Sequence, residues 1–135
     1  MSEALPPGPL ILLVEDEPGI RESLELLLEL EGFGVVSAAN PVQALERLES
    51  IDCDLIITDQ MMPRMDGLTF LRHVRAQPRL ARTPAIMISA VPRPPDALAP
   101  LADAFIGKPF EAMRLVDTIR RLLAARARSD ARGDA

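Results

Sequence analysis

Five short aliphatic runs, separated by segments with helical periodicity, constrain the fold of this chain more than any other feature. The runs have the length and residue types of strands that are buried on both faces of a sheet. They lie at Leu10 to Val14, from Val35 onward, at Leu55 to Asp59, at Pro84 to Ser89 and at Ala104 to Gly107. Strands that alternate with helices form a parallel sheet with right-handed crossovers. The sequence therefore predicts a doubly wound, five-stranded α/β sheet with helices on both faces.

Helix start and stop signals define most of the intervening segments. The predicted helices run from about Pro18 to Gly32, from a cap at Asn40 through Leu48, from Leu68 to Ala76 and from Glu111 to Arg126. The connection between the fourth and fifth strands differs, because Val91 to Pro95 holds three prolines and Pro100 interrupts Asp96 to Ala102. A short or broken fourth helix is predicted there.

The 135 residues are enough for one domain with a complete core and too few for two ordinary domains. We expect residues 10–126 to form that domain, residues 1–9 a flexible leader and residues 127–135 a disordered tail. The start of the chain lacks the pattern of a signal peptide, and no apolar run approaches the ~20 residues that span a bilayer. These features predict a cytoplasmic protein without membrane contact.

Charge, cysteine content and the single histidine argue against a nucleic-acid-binding protein, a disulfide-stabilised protein and a histidine metal site. The net charge of −5 argues against direct binding of nucleic acid, which requires a clustered basic face. The single cysteine, Cys53, cannot form an internal disulfide, and its place at a strand start favours a small buried thiol. His73, the one histidine, lies mid-helix without partners suited to metal binding, so a packed or solvated residue is the preferred interpretation.

Polar residues follow four of the predicted strands, at the sheet edge where parallel α/β proteins bind ligands. They are Glu15, Asp16, Asp59, Ser89 and Lys108. An aspartate also suits a turn and a serine also suits a helix cap, so Asp59 or Ser89 alone has a structural interpretation. Carboxylates packed together repel one another and require a cation. Oxygen ligands with room for water suit Mg²⁺, so a magnesium site is predicted at this edge.

Lys108 is the single lysine among fifteen basic residues. A chain that uses arginine everywhere else retains an ammonium here, which suggests that a compact point charge is needed.

Four motifs resemble the receiver domain of two-component response regulators, and the resemblance covers about residues 9 to 125. They are Ile-Leu-Leu-Val-Glu-Asp-Glu-Pro at 11 to 18, Asp-Leu-Ile-Ile-Thr-Asp-Gln-Met-Met-Pro-Arg-Met-Asp-Gly at 54 to 67, Ile-Met-Ile-Ser-Ala at 86 to 90 and Lys-Pro-Phe at 108 to 110. Each motif alone is weak, but all four in order and at near-family spacing are highly specific. The resemblance implies a flavodoxin-like (CheY-like) sheet of order 2-1-3-4-5.

The resemblance also implies the roles of the edge residues. Asp59 would accept a phosphoryl group from a histidine kinase, a phosphotransfer protein or a small acyl phosphate. Asp16 would ligate Mg²⁺ directly, Glu15 through water, and Met61 through its backbone carbonyl. Lys108 would add a second positive contact to the transferring phosphoryl group.

The family's switch would use two further positions. Ser89 would bind the new aspartyl phosphate, and Phe105 would turn inward as it does so. The Lys108–Pro109 peptide would be cis, an option open mainly to bonds that precede proline. Asp66 and Gly67 fit a turn and a helix start.

The predicted function is that of a stand-alone phosphoacceptor switch, a monomer or weak dimer with an unidentified downstream protein target. The alternatives are a receiver fragment of a larger hybrid kinase or multidomain regulator, or a phosphorelay shuttle. A turnover enzyme is not expected, because aspartyl-phosphate hydrolases need a second aspartate two residues after the first, where this chain has Met61.

Two departures from the family pattern carry expectations. The 18 residues between Ser89 and Lys108 are about three fewer than usual, so the fourth helix should be short, displaced or missing and the face it helps to form should be altered. Met61 and Val91 occupy positions that modulate loss of phosphate in the family. Because both side chains are apolar and cannot hold an attacking water, we expect a comparatively long-lived aspartyl phosphate.

Overall fold

A computed structural model describes residues 8–62, 65–90 and 100–131 of the chain. The elements are β1 (Leu10–Val14), α1 (Pro18–Leu30), β2 (Gly34–Ala38), α2 (Pro41–Leu48), β3 (Leu55–Asp59), α3 (Gly67–Arg75), a 3₁₀ turn (Pro78–Leu80), β4 (Ala85–Ser89), β5 (Ala104–Gly107) and α4 (Ala112–Ala131). The five aliphatic runs of the sequence are thus confirmed as strands.

The strands form one parallel sheet in the order β2-β1-β3-β4-β5, as predicted. All five residues of the central strand β3 are buried, because helices cover both faces. Alternate residues of a strand point to opposite faces. Accordingly, Leu12 and Ile56 join a cluster with side chains of α2 and α3, whereas Ile11 and Ile57 join one with side chains of α1 and α4.

Local capping chemistry fixes the start of two helices. The Asn40 side-chain oxygen accepts from the amide of Gln43 at 2.9 Å at the start of α2, and that of Asp66 accepts from the amide of Thr69 at 2.8 Å at the start of α3. Gly32 follows α1 with a φ of 96°, a conformation that favours glycine. The predicted caps and stop are therefore confirmed.

The last helix differs from its prediction. It continues past Arg126 to Ala131, so the prediction of a disordered tail from residue 127 is wrong for residues 127–131. Contacts across the fold explain the extension. Arg126 donates to the backbone carbonyl of Asp54 at 3.4 Å, and the Ser129 hydroxyl accepts from Arg82 at 3.1 Å. The residues after Ala131 lie outside the described chain, as do residues 1–7 of the predicted leader.

The short or broken helix that was predicted between β4 and β5 falls mostly on residues 91–99, which lie outside the described residues. Beyond that gap, Pro100 and Leu101 form a turn that leads into β5. Three large apolar residues of α1 are exposed, namely Ile20, Leu26 and Leu30. None of the described helices is both long enough and apolar enough to cross a membrane.

Candidate functional site

The register of β1 on β3 brings the first two acids together. Val14 of β1 pairs with Thr58 of β3. The residues that follow them, Glu15 and Asp59, therefore lie at the same carboxyl edge of the sheet. Both side chains are nearly buried, with 4% and 7% of the residue surface exposed. Their neighbour Asp16 is half-buried. One carboxylate oxygen from each of the three residues lies within 4.8 Å of the others.

The register of β4 on β5 delivers the ammonium group to the same place. Ser89 pairs with Gly107, and the backbone amide of Lys108 donates to the backbone carbonyl of Ser89 at 2.8 Å. The Lys108 Nζ then lies 3.0 Å from Asp59 Oδ2. The structure therefore assembles the predicted acids and the single lysine at one edge of the sheet.

Burial sets the electrostatics of Glu15. Loss of water around the carboxylate raises the pKa of Glu15, and the nearby negative charges of Asp59 and Asp16 raise it further. The backbone amide of Glu17, which donates to Glu15 Oε2 at 3.1 Å, and the Lys108 ammonium oppose this rise. Three acids thus share the positive charge of one lysine. Hard oxygen donors that carry uncompensated negative charge match the requirements of Mg²⁺, so the donor set fits that ion.

The loop after Asp59 is tied to β4 and to the start of α3 through Gln60. The Gln60 amide donates to the backbone carbonyl of Ile88 at 2.9 Å, and its side-chain oxygen accepts from the amide of Leu68 at 3.0 Å. The amide of Met61 lies 3.4 Å from Asp59 Oδ1. Met61 therefore borders the carboxylate, while ligation through its carbonyl stays a prediction.

Gly67 has a tertiary role that the sequence did not reveal. A Cβ at this position would lie 2.7 Å from the backbone carbonyl oxygen of Asp59 and 2.8 Å from the sulfur of Met87. The Gly67 amide also donates to the Gln60 carbonyl at 3.0 Å. The start of α3 thus packs directly against the backbone of the predicted phosphoacceptor. Sequence spacing predicted a helix start here, but a close approach between distant segments leaves no local signal.

The predicted switch residues lie on neighbouring strands. Ser89 is fully buried at the end of β4. Phe105 pairs with Met87 in the ladder and is half-buried against the cluster that contains α2 and α3 side chains. The Lys108–Pro109 peptide is cis, as predicted. An inward turn of Phe105 and a phosphate contact of Ser89 stay predictions.

His73 and Cys53, for which the sequence predicts no role in the chemistry, are not part of the cluster of acids at the carboxyl edge. His73 is exposed on α3. Cys53 is buried before β3, where loss of water raises the pKa of its thiol to about 11.

Comparison with known proteins agrees with this geometry. A family model described as the response regulator receiver domain matches residues 11–120. Among curated proteins, response regulator Rre1 of Synechocystis is 40% identical over 126 residues, which cover 90% of this chain and 54% of that protein. The chain spans about half the length of the curated relatives it matches.

Two solved structures illustrate the likeness in three dimensions. Chemotaxis response regulator CheY4 of Vibrio cholerae has a TM-score of 0.81 and 30% identity, covering 85% of this chain and 98% of that one. The receiver domain of sensor histidine kinase PA1611 of Pseudomonas aeruginosa, with a magnesium ion coordinated in its active-site cleft, has a TM-score of 0.80 and 31% identity. The match covers 87% of this chain and 98% of that domain.

Proposed function

This chain belongs to the response regulator receiver domain family, and we propose that it is a phosphorylation switch in which Asp59 accepts the phosphoryl group. Receiver domains are signalling proteins that interact with histidine kinases or phosphotransfer partners and bind Mg²⁺ at an acidic pocket. The observation that carries the proposal for this chain is the 3.0 Å contact of Lys108 Nζ with Asp59 Oδ2 beside the Glu15 and Asp16 carboxylates.

Asp59 is suited to act as the nucleophile. A carboxylate oxygen of Asp59 forms the new bond to phosphorus as the bond between phosphorus and the donor breaks, and the bonding electrons leave with the donor. Positioning and charge supply most of the catalysis in such transfers. The Lys108 ammonium holds the Asp59 carboxylate in place beforehand and contacts a phosphoryl oxygen afterwards.

The metal-binding residues of the proposal are Asp16 as a direct ligand, Glu15 through water, Asp59 itself and the backbone carbonyl of Met61. When bound, Mg²⁺ offsets negative charge on the transferring phosphoryl oxygens. Support comes from the three carboxylate oxygens within 4.8 Å and from the raised pKa of Glu15, which shows that negative charge is costly there.

The proposed output is a change in partner binding. Ser89 ends β4 and its backbone carbonyl accepts from the amide of Lys108, so the two residues lie at the same edge of the sheet. In the proposal, this hydroxyl binds the aspartyl phosphate, and Phe105 on the adjacent strand turns inward. The downstream protein then distinguishes the two forms of the domain.

The decisive experiment is incubation with acetyl phosphate and Mg²⁺, followed by intact-protein mass spectrometry. We expect a gain of about 80 Da, the mass of one phosphoryl group, that is lost in Asp59→Asn. Asp52→Asn is the matched control, because Asp52 precedes the same strand and its side chain is 98% exposed. An equal mass gain in Asp59→Asn would refute Asp59 as the acceptor.

We further propose that the domain works as a stand-alone switch, with a receiver unit inside a larger kinase or regulator as the alternative. The described residues support independent folding, because they form a full five-stranded sheet covered on both faces. An antibody against the domain should detect the endogenous protein at 14.7 kDa, and a much larger band would establish the alternative.

A further inference from the structure

Arg75, the last residue of α3, forms an unusually dense set of contacts. Its side chain is 16% exposed and makes five hydrogen bonds to backbone carbonyls and one ion pair. Nη1 donates to the backbone carbonyls of Leu80 at 3.0 Å, Ala81 at 3.3 Å and Thr83 at 2.7 Å. Nε and Nη2 donate to the backbone carbonyl of Leu101 at 3.0 and 2.8 Å. Nη2 also pairs with the Asp103 carboxylate at 3.3 Å. All three guanidinium nitrogens are therefore engaged.

These contacts join two separate segments to α3. One segment, residues 80–83, leads into β4, and the other, residues 101–103, leads into β5. Asp103 adds a direct link between the two strands, because its carboxylate accepts from the Ala85 amide at 2.8 Å and its own amide donates to the Ala85 carbonyl at 2.8 Å. The start of β5 is thereby held by Arg75 and by β4 together.

A lysine could not reproduce this arrangement. The planar guanidinium presents five N–H groups in fixed directions, whereas an ammonium presents three from a single point. Burial lowers the pKa of Arg75 and the charge of Asp103 raises it again, so the cation is desolvated and paired. A guanidinium in this setting can hold several acceptors in fixed relative positions.

The position of Arg75 separates it from the chemistry. Its partners precede the amino ends of β4 and β5, whereas Asp59 and Lys108 lie at the carboxyl edge. The helix α3 nevertheless connects the amino ends of these strands with the carboxyl edge of the sheet, because Gly67 at the start of α3 lies against the Asp59 backbone. Leu101 and Phe105 pack against the same cluster as Val74 of this helix.

We propose that Arg75 is a positioning residue that fixes the chain entering β5 against α3, so that phosphorylation of Asp59 produces one defined rearrangement at Phe105. Without this anchor, residues 101–103 move independently of α3 and the change at Asp59 is no longer transmitted. This inference rests on the proposed function, since it assigns Arg75 a part in the same switch.

The test follows Phe105 directly by ¹⁹F NMR of protein labelled with fluorophenylalanine. The chain has four phenylalanines and neither tryptophan nor tyrosine, so four resonances are expected. Loss of one line in Phe105→Leu assigns it. Beryllium fluoride with Mg²⁺ serves as the stand-in for the phosphoryl group, and acetyl phosphate with mass detection gives the rate of phosphorylation of the same variants.

The informative variants are Arg75→Lys, Arg75→Gln and Asp103→Asn. Arg72→Gln is the matched control, because Arg72 lies about one turn earlier on α3 and is exposed. We expect the wild type and the control to show one shifted Phe105 line, and both Arg75 variants to lose most of that shift while Asp59 is phosphorylated at an unchanged rate. Asp103→Asn, which retains the five carbonyl contacts, should lose part of the shift.

Spectra are recorded below the melting temperature of each variant, and the partial effect of Asp103→Asn tests the inference even if an Arg75 variant does not fold. A full wild-type shift in folded Arg75 variants, or in Asp103→Asn, would overturn it. Slower phosphorylation in parallel with lower stability would also overturn it, because Arg75 would then act on the fold as a whole. A wild type that gains no mass would instead refute the proposed function, and the two failures are thereby distinguished.

Discussion

Replacing Glu15 by glutamine should make the metal-free protein more stable and should weaken its response to Mg²⁺. The substitution removes one of three carboxylates that lie within 4.8 Å of one another. At an effective dielectric near 20 and this separation, each pair of charges repels by about 3 kcal/mol. Glutamine retains an oxygen that can accept from the Glu17 amide, so that hydrogen bond is preserved.

The expected gain in stability is smaller than the sum of two such repulsions. The Lys108 ammonium attracts the same carboxylate and offsets part of the repulsion from Asp59 and Asp16. A net increase of about 1–3 kcal/mol in the free energy of unfolding is therefore expected in EDTA. In wild type, Mg²⁺ at about 100 times its dissociation constant should add about 2.7 kcal/mol, and this increment should shrink in Glu15→Gln.

The pH dependence gives an independent check on the same reasoning. The folded-state pKa of Glu15 is raised above its ordinary value of 4.5. A raised pKa means that the folded state binds the proton more tightly, so Glu15 costs little stability below pH 4.5 and more as the pH rises through its folded-state pKa. The stability difference between Glu15→Gln and wild type in EDTA should therefore widen from acidic to neutral pH.

Urea unfolding followed by far-UV circular dichroism measures these differences, since the chain lacks tryptophan and tyrosine as fluorescent probes. Glu22→Gln is the matched control, because it makes the same chemical change at an exposed position of α1. If Glu15→Gln were no more stable than wild type in EDTA, or responded to Mg²⁺ as wild type does, the electrostatic account of the site would be wrong.

Three further substitutions or reactions test other parts of the structure. Gly67→Ala should lower the free energy of unfolding by about 1–3 kcal/mol in urea, because the new methyl meets the Asp59 backbone, whereas Gly19→Ala, with open space around it, should be neutral or stabilising. Cys53 should resist iodoacetamide in the native protein and react with it in urea, as followed by mass spectrometry. Burial raises the pKa of its thiol to about 11, so the free energy of unfolding should also fall as the pH rises above about 9, where the unfolded chain loses this proton first. The aspartyl phosphate should persist for minutes or longer at neutral pH with Mg²⁺, and Met61→Asn should shorten its lifetime by holding water near Asp59; loss of label within seconds in wild type would contradict this.

The strands and the edge residues could be predicted from sequence because both leave local signals. A run such as Leu55 to Ile57 can be satisfied only by burial, and acids that directly follow such runs must emerge at the carboxyl edge of a parallel sheet. The residues that hold the edge in place leave no such signal. Gly67 looks like an ordinary helix start, and Arg75 is one arginine among many, until the fold brings their distant partners to them.

The end of α4 was mispredicted for the same reason. Residues from Arg126 onward have the composition of a frayed terminus, and the contacts with Asp54 and Arg82 that hold them helical come from remote parts of the chain. The roles of Met61, Ser89 and Phe105 stay predictions, because they depend on states of the protein that hold Mg²⁺ or the phosphoryl group.

The edge position of β5 has a kinetic consequence. This four-residue strand is joined to the sheet through β4 alone, and the ammonium that meets Asp59 is the next residue after it. Fraying of one short ladder would carry Lys108 away while the other four strands stayed paired. The contact between Lys108 and Asp59 therefore exists only while β5 is paired with β4. Its lifetime is set by the local opening of β5 rather than by global unfolding.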